Sequence, residues 1–208
     1  MATDYASAQK QVRYWSKIIL SYFFEIKIQN AEYAENLEGP LILAATHKSY
    51  IDHFLIIAAL PDNPNLFPIR ALASVYWMKM PLIGKWLKNL GALPANRGGG
   101  AKAPLKILKE KEVLGIYPEG GIRRSPGVHD LKRGAGWFAL KSGAKILPVA
   151  IKGLDNFSLL RLPFYLFKKG KVTVAFGQAF LPFENQDESA LTEELRKRMS
   201  ELYKIDIG

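Results

Sequence analysis

An α/β fold, a single domain with one mixed, mostly parallel β-sheet flanked by helices and preceded by an N-terminal amphipathic helix, is what this sequence predicts. Short apolar runs bounded by Gly and Pro alternate with stretches of helical periodicity, the pattern of strands separated by covering helices. The 208 residues are 49% hydrophobic and 23% charged, a globular composition with enough chain to bury a core in one domain. No internal repeat or low-complexity linker interrupts them. The expected organisation is a helix over residues 1–23, at a membrane interface or on the domain, and a domain over 24–208.

On a helical wheel Ala8, Val12, Trp15, Ile19, Tyr22 and Phe23 fall within a sector of about 100°, with Lys10, Arg13 and Lys17 on the opposite side. A basic amphipathic helix with aromatic residues can lie in a membrane interface, and the same pattern also suits packing on the domain. Residues 25–29 alternate as a strand does. Residues 41–46, after Gly39-Pro40, are a continuous apolar run that reads as a buried strand. The spacing predicts a helix over 51–60, stopped by Pro61, then a strand over 66–73, a helix over 80–90 and a short strand over 92–96. A helix over 101–112, a strand over 113–117, a helix over 134–142 and a strand over 145–151 follow. Residues 171–176 alternate again, and Leu191, Leu195, Met199 and Leu202 mark a final amphipathic helix.

Charge and composition narrow the function classes. Lys and Arg number 29 against 19 Asp and Glu, a net charge of +10, and residues 97–152 hold twelve basic side chains and four acidic ones. Anionic partners follow: nucleic acid, lipid headgroups or phosphorylated substrates. No apolar stretch approaches the ~20 residues of a membrane-spanning helix, and the N-terminal pattern, broken by Lys10, Arg13 and Lys17, does not read as a signal peptide. Without cysteine there is no disulfide, thiolate metal site or acyl-cysteine intermediate; with three histidines a polynuclear metal centre is disfavoured, and no metal is expected.

The chemistry begins at His47 and Asp52. His47 falls where the buried strand ends, and Asp52 in the first turn of the next helix. With the histidine on the loop, Asp52 can accept from one imidazole nitrogen and leave the other to take a proton from a hydroxyl. Those are two members of a triad whose hydroxyl belongs to the substrate. Ser49 and Asp52 also fit a helix capping box, a purely structural role for the same carboxylate. A second constellation lies at a matching place: the strand over 113–117 runs into Pro118-Glu119-Gly120-Gly121-Ile122-Arg123-Arg124. Its glycines permit close backbone approach, and Arg123 and Arg124 can pair with a phosphate. Arg97 offers a further cation at another strand end, and open α/β sheets bind ligands beyond the carboxyl ends of their strands.

Together these residues resemble the glycerolipid acyltransferase family, of the HxxxxD type that includes 1-acylglycerol-3-phosphate O-acyltransferases. The resemblance runs from about Leu41 to Gly153 in four ordered blocks. His47, Ser49 and Asp52 match the catalytic block. Met80-Pro81-Leu82-Ile83-Gly84, then Gly91-Ala92 and Arg97, are similar to the second block and its phosphate-binding arginine. Tyr117-Pro118-Glu119-Gly120, followed by Lys132-Arg133-Gly134-Ala135, matches the third, and Ile146-Leu147-Pro148-Val149-Ala150-Ile151 resembles the fourth. Two departures bear on the acceptor. The family's Pro-Glu-Gly-Thr-Arg becomes Gly121-Ile122 with its basic residues displaced to Arg123 and Arg124, and a lysine often found before the second block is replaced by Ser74.

The resemblance implies transfer of a fatty acyl group from an acyl-CoA or acyl-carrier-protein thioester to the hydroxyl of a lysophospholipid, 1-acylglycerol-3-phosphate, giving phosphatidic acid. His47 is the implied general base and Asp52 its orienting carboxylate. Arg97, Glu119, Gly120, Gly121 and Arg123 are the candidates for the acceptor's polar head. No cofactor is implied beyond the thioester substrate, and the implied partners are lysophospholipid, thioester and an anionic membrane surface. A cytoplasmic protein peripheral on the inner face of the membrane is expected. The competing class is a non-catalytic binder of anionic lipid or another polyanion, against which the presence of both His47 and Asp52 argues. No nucleic-acid-binding motif is present, and no nucleic acid is expected.

Overall fold

The computed structural model describes residues 4–95, 100–155, 157–183 and 186–204. Seven strands form one sheet: β1 (Phe24–Gln29), β2 (Leu41–Ala45), β3 (Ile69–Ser74), β4 (Leu93–Ala95), β5 (Val113–Ile116), β6 (Lys145–Lys152) and β7 (Gly170–Phe176), in the order β1-β7-β6-β2-β5-β3-β4. All pairings are parallel except β6 with β7. The helices are α1 (Tyr5–Phe23), α2 (Glu32–Glu35), α3 (Asp52–Ala59), α4 (Val75–Lys79), α5 (Pro81–Asn89), α6 (Lys102–Lys109), α7 (Gly134–Ser142), α8 (Leu162–Phe167) and α9 (Glu188–Lys204). The mixed, mostly parallel sheet flanked by helices is the fold class that the alternating pattern predicts.

The period-2 geometry of β2 sends successive side chains to opposite faces, and both faces are covered. Leu41, Leu43 and Ala45 join one core with Leu20 of α1 and Leu55 of α3, whereas Ile42 and Ala44 join the other with Leu108 of α6, Phe138 of α7 and Leu191 of α9. That double burial makes β2 continuously apolar. The third strand begins later than the periodicity predicts. Pro64–Leu66 forms a 3-10 turn capped by Asn63, and Pro68 has no N–H to give to the ladder. The short helices α2, α4 and α8 leave too few turns for a periodic signal. Gly84 of α5 allows the sharp corner after α4, since a Cβ there would lie 2.1 Å from the Met78 carbonyl oxygen.

Helix α1 packs differently from its amphipathic pattern. Its buried residues are Gln9, Ser16 and Leu20, while Trp15, Ile19 and Tyr22, from the apolar stripe that suits a membrane interface or the domain, stand exposed. Arg13, expected among the free cations, turns inward: it pairs with Asp62, donates to the Leu60 carbonyl and lies over the Phe67 ring. The polar stripe docks because Gln9 has backbone groups to satisfy. Its Nε2 donates to Ile69 O and Leu90 O, and its Oε1 accepts from Ile69 N. None of the described helices is long and apolar enough to cross a membrane.

Candidate active site

The carboxyl ends of β2, β5, β3 and β6 share one end of the sheet, and the starts of β1 and β7 meet them there because β7 runs antiparallel to β6. His47, two residues beyond β2, and the loop after β5 therefore face each other. His47 Nδ1 lies 2.9 Å from Asp52 Oδ2. That oxygen also accepts from Lys48 N at 2.6 Å and Ser49 N at 2.9 Å, and Oδ1 accepts from Ser49 Oγ at 2.6 Å. The Ser49 N–H bond is one half of the capping box, whereas Ser49 Oγ accepts from Ile51 N and leaves the other half unmade, so the buried carboxylate holds the turn that leads into α3 and orients the histidine.

Since Asp52 Oδ2 accepts, the proton of a neutral His47 imidazole sits on Nδ1 and Nε2 is left as an acceptor. No described residue bonds Nε2. The side chain is 22% exposed, enough for a substrate hydroxyl to reach it. The Tyr117 ring stacks on the imidazole with centroids 4.2 Å apart and planes 19° apart, holding its tilt. Tyr117 Oη is buried without a hydrogen-bond partner among the described residues, and burial, seconded by the Asp52 charge, pushes its phenol far above the ordinary range. His53, on the other side of Asp52, is a different histidine. Burial outweighs the attraction of Asp52 and lowers its pKa from 6.5 to about 4, so it is neutral at pH 7.

The loop after β5 is tied to the His47 segment at several points. Glu119 is buried; its Oε2 accepts from His47 N at 2.8 Å and its Oε1 from His129 N at 3.0 Å. Its carboxylate is therefore a brace between two loops rather than a group left open to an acceptor. Arg123 N donates to His47 O at 2.7 Å, which fixes the Arg123 backbone beside the histidine while its side chain stays exposed. Gly120 adopts φ +71°, and a Cβ there would fall 2.2 Å from Lys132 Nζ, so the lysine amine lies directly over this glycine. A Cβ at Gly121 would meet nothing within 4 Å. Arg97 lies outside the described residues. Thus His47, Asp52, Glu119, Gly120, Gly121 and Arg123 are brought together.

Sequence reasoning gave no site role to Lys48 or to the Tyr117 side chain. Tyr117 stood within the third block, a usable signal; Lys48 reads as a solvated lysine, and nothing local marks it as buried. Among the described residues no cluster of His, Asp and Glu is arranged to hold a metal ion.

The profile of the family described as Acyltransferase matches residues 25–152. The 1-acyl-sn-glycerol-3-phosphate acyltransferase of Bacillus subtilis (strain 168) is 32% identical over 198 residues, covering 89% of this chain and 92% of that protein. The chloroplastic 1-acyl-sn-glycerol-3-phosphate acyltransferase LPAT1 of Arabidopsis thaliana is 21% identical over 145 residues, and the match spans 39% of its length. The crystal structure of the 1-acyl-sn-glycerophosphate acyltransferase PlsC from Thermotoga maritima superposes with a TM-score of 0.75 at 22% identity, over 96% of this chain and 81% of that one, a likeness of fold.

Proposed function

The chain belongs to the acyltransferase family, and from that premise we propose that it moves a fatty acyl group from an acyl-CoA or acyl-carrier-protein thioester to the free hydroxyl of 1-acylglycerol-3-phosphate, forming phosphatidic acid. The observation that carries this reading is the imidazole of His47, held by Asp52 through Nδ1 and open at Nε2. The name of the Bacillus subtilis relative supports the acceptor.

In this mechanism Nε2 takes the proton of the acceptor hydroxyl as its oxygen attacks the thioester carbonyl. Asp52 stabilises the imidazolium that forms. The tetrahedral intermediate expels the thiolate, to which the imidazolium returns the proton. Attack is direct and passes through no acyl-enzyme. The phosphate is received by Arg123 near the Gly120-Gly121 turn, where the backbone can approach closely, and Arg97 is the further cation that the family resemblance assigns to it.

The acceptor is reached from a lipid surface. Tyr50 in the His47 loop, Tyr22 near the end of α1, Tyr76 and Leu82 after β3, and Phe164 and Phe167 of α8 before β7 are all exposed, and by strand direction all belong to the carboxyl end. Trp15 and Ile19 extend this apolar surface along α1, and Lys168 and Lys169 flank it with charge suited to anionic headgroups.

The test is incubation of the purified protein with acyl-CoA or acyl carrier protein thioester and vesicles carrying a panel of lysolipids, with products read by mass. Phosphatidic acid from 1-acylglycerol-3-phosphate is the expected product. Equal acylation of the phosphate-free 1-acylglycerol would overturn the acceptor assignment.

A further inference from the structure

Lys48 is a charged residue with its side chain 0% exposed, one position from the proposed base. An ammonium has three N–H groups, and isolating it from water is costly unless all find partners. Here Nζ donates to Ser125 O at 2.7 Å and Gly127 O at 2.6 Å, and Asp155 Oδ1 lies 3.3 Å away. The Tyr203 ring of α9 stands 5.0 Å from the ammonium, within cation–π range. Its hydroxyl donates to Asp155, with Oδ1 at 2.8 Å and Oδ2 at 2.9 Å. The main chain of Lys48 meanwhile donates to Asp52.

One residue thus reaches the orienting carboxylate through its backbone and the turn at residues 125–127 through its side chain. That turn directly follows Arg123 and Arg124. Arg123 N is itself bound to His47 O, and His129 N to Glu119, so residues 123–129 are pinned at three places to the His47-Lys48 dipeptide or its brace. Of these ties only the Lys48 side chain also engages Asp155, in the segment that follows β6, and Tyr203, which closes α9.

We propose that Lys48, Asp155 and Tyr203 are positioning residues that fix the arginine-bearing loop at residues 120–129 against His47, so that the final helix takes part in acceptor specificity. The proposal rests on the reading of Arg123 as a ligand of the acceptor phosphate. With the ammonium in place, the two carbonyls are held inward and the arginines project from a fixed turn. Without it, the Ser125 and Gly127 carbonyls lose the ammonium that draws them inward and the turn loosens, while the His47–Asp52 contact keeps its own backbone donors.

The experiment compares Lys48→Met, Tyr203→Phe, the double variant and Arg123→Ala by steady-state kinetics and by amide hydrogen exchange on the full chain. Lys48→Met is expected to raise the KM for 1-acylglycerol-3-phosphate about tenfold or more, with kcat and the thioester KM within about threefold, and to speed exchange across residues 120–129. Tyr203→Phe, which removes one hydroxyl and is the more conservative change, is expected to move the same quantities about two- to threefold, and to add nothing in the double variant. Wild-type exchange in that loop in Tyr203→Phe and in any folded Lys48→Met overturns the proposal, as does an unchanged acceptor KM in both while Arg123→Ala raises it. An unchanged KM in Arg123→Ala counts against the phosphate reading alone, and loop exchange then decides the clamp.

Discussion

At the amino end of the strands, Gln9 grips Ile69 and Leu90, Arg70 donates to Gly91 O and Glu112 while lying over the Tyr5 ring, and Asn63 bonds Ala34 O, Leu37 O and Asn65 N. At the carboxyl end, Asp52, Glu119 and Lys48 are satisfied just as completely. The ends part in what is left over. Among the described residues, His47 Nε2 and the side chains of Arg123 and Arg124 have no hydrogen-bond partner, and each is accessible, whereas the polar side chains of Gln9, Arg70 and Asn63 are occupied with backbone or neighbouring charge. Both networks hold their loops with the same chemistry, and the one at the carboxyl end also leaves an imidazole nitrogen open within it. A dense polar network therefore marks a scaffold, and an open acceptor or cation inside such a network marks a site.

The largest effect should come from removing the open acceptor. His47→Ala is expected to lower kcat by about 10³, roughly 4 kcal/mol of transition-state stabilisation, with an unchanged circular dichroism spectrum. Turnover near wild type would erase the distinction between the two ends. Asp52→Asn keeps an oxygen for the turn before α3 and loses the charge that supports the imidazolium; a fall of about 10² in kcat is expected, where a residue that only held that turn would leave the rate alone.

At the opposite end the loss should appear in stability. Gln9→Ala strands Ile69 N, Ile69 O and Leu90 O, a cost of about 3 kcal/mol seen as a lower denaturation midpoint, with kcat per folded molecule kept. A folded Gln9→Ala protein with impaired chemistry would mean that the two ends are coupled. The smallest effect belongs to His53, which flanks Asp52 and is occupied by burial. Its folded pKa of about 4 lies below the 6.5 of the unfolded chain, so stability is full above pH 6.5 and declines as pH falls toward 4, where the unfolded state binds the extra proton. A drop of up to about 2 kcal/mol across that window is expected, allowing for partial solvent screening, and His53→Leu should flatten it in urea titrations.

The centre of the sheet was legible because β2, β5 and β6 are buried on both faces, with Gly39-Pro40 bounding β2, and the final helix because Leu191, Leu195, Met199 and Leu202 keep a helical period whose face is buried in α9. Residues His47 and Asp52 were legible as a pair because their spacing spans a strand end and a first helical turn. Other features depended on distant partners. Wheel geometry left the apolar stripe of α1 to a membrane interface or to the domain alike, and the backbone groups at Ile69 and Leu90 select Gln9 for burial while Trp15, Ile19 and Tyr22 stay exposed. Glu119 stood among the candidates for the acceptor's polar head, whereas its carboxylate is taken up by the N–H groups of His47 and His129 from separate loops. Lys48 reads as surface because its carbonyl partners lie in the turn at residues 125–127 and its counter-charge follows β6.

Nitrogen-15 spectra of the histidine-labelled protein, with His47 assigned by comparison with His47→Ala, read which imidazole nitrogen at the carboxyl end is held by Asp52 and which is open. In the neutral form of the ring the proton is expected on Nδ1, with Nε2 at the shift of an unprotonated nitrogen, and this fixed tautomer is expected to be lost in Asp52→Asn. A neutral ring carrying its proton on Nε2 in the wild type would contradict it, because no base would then face the acceptor hydroxyl.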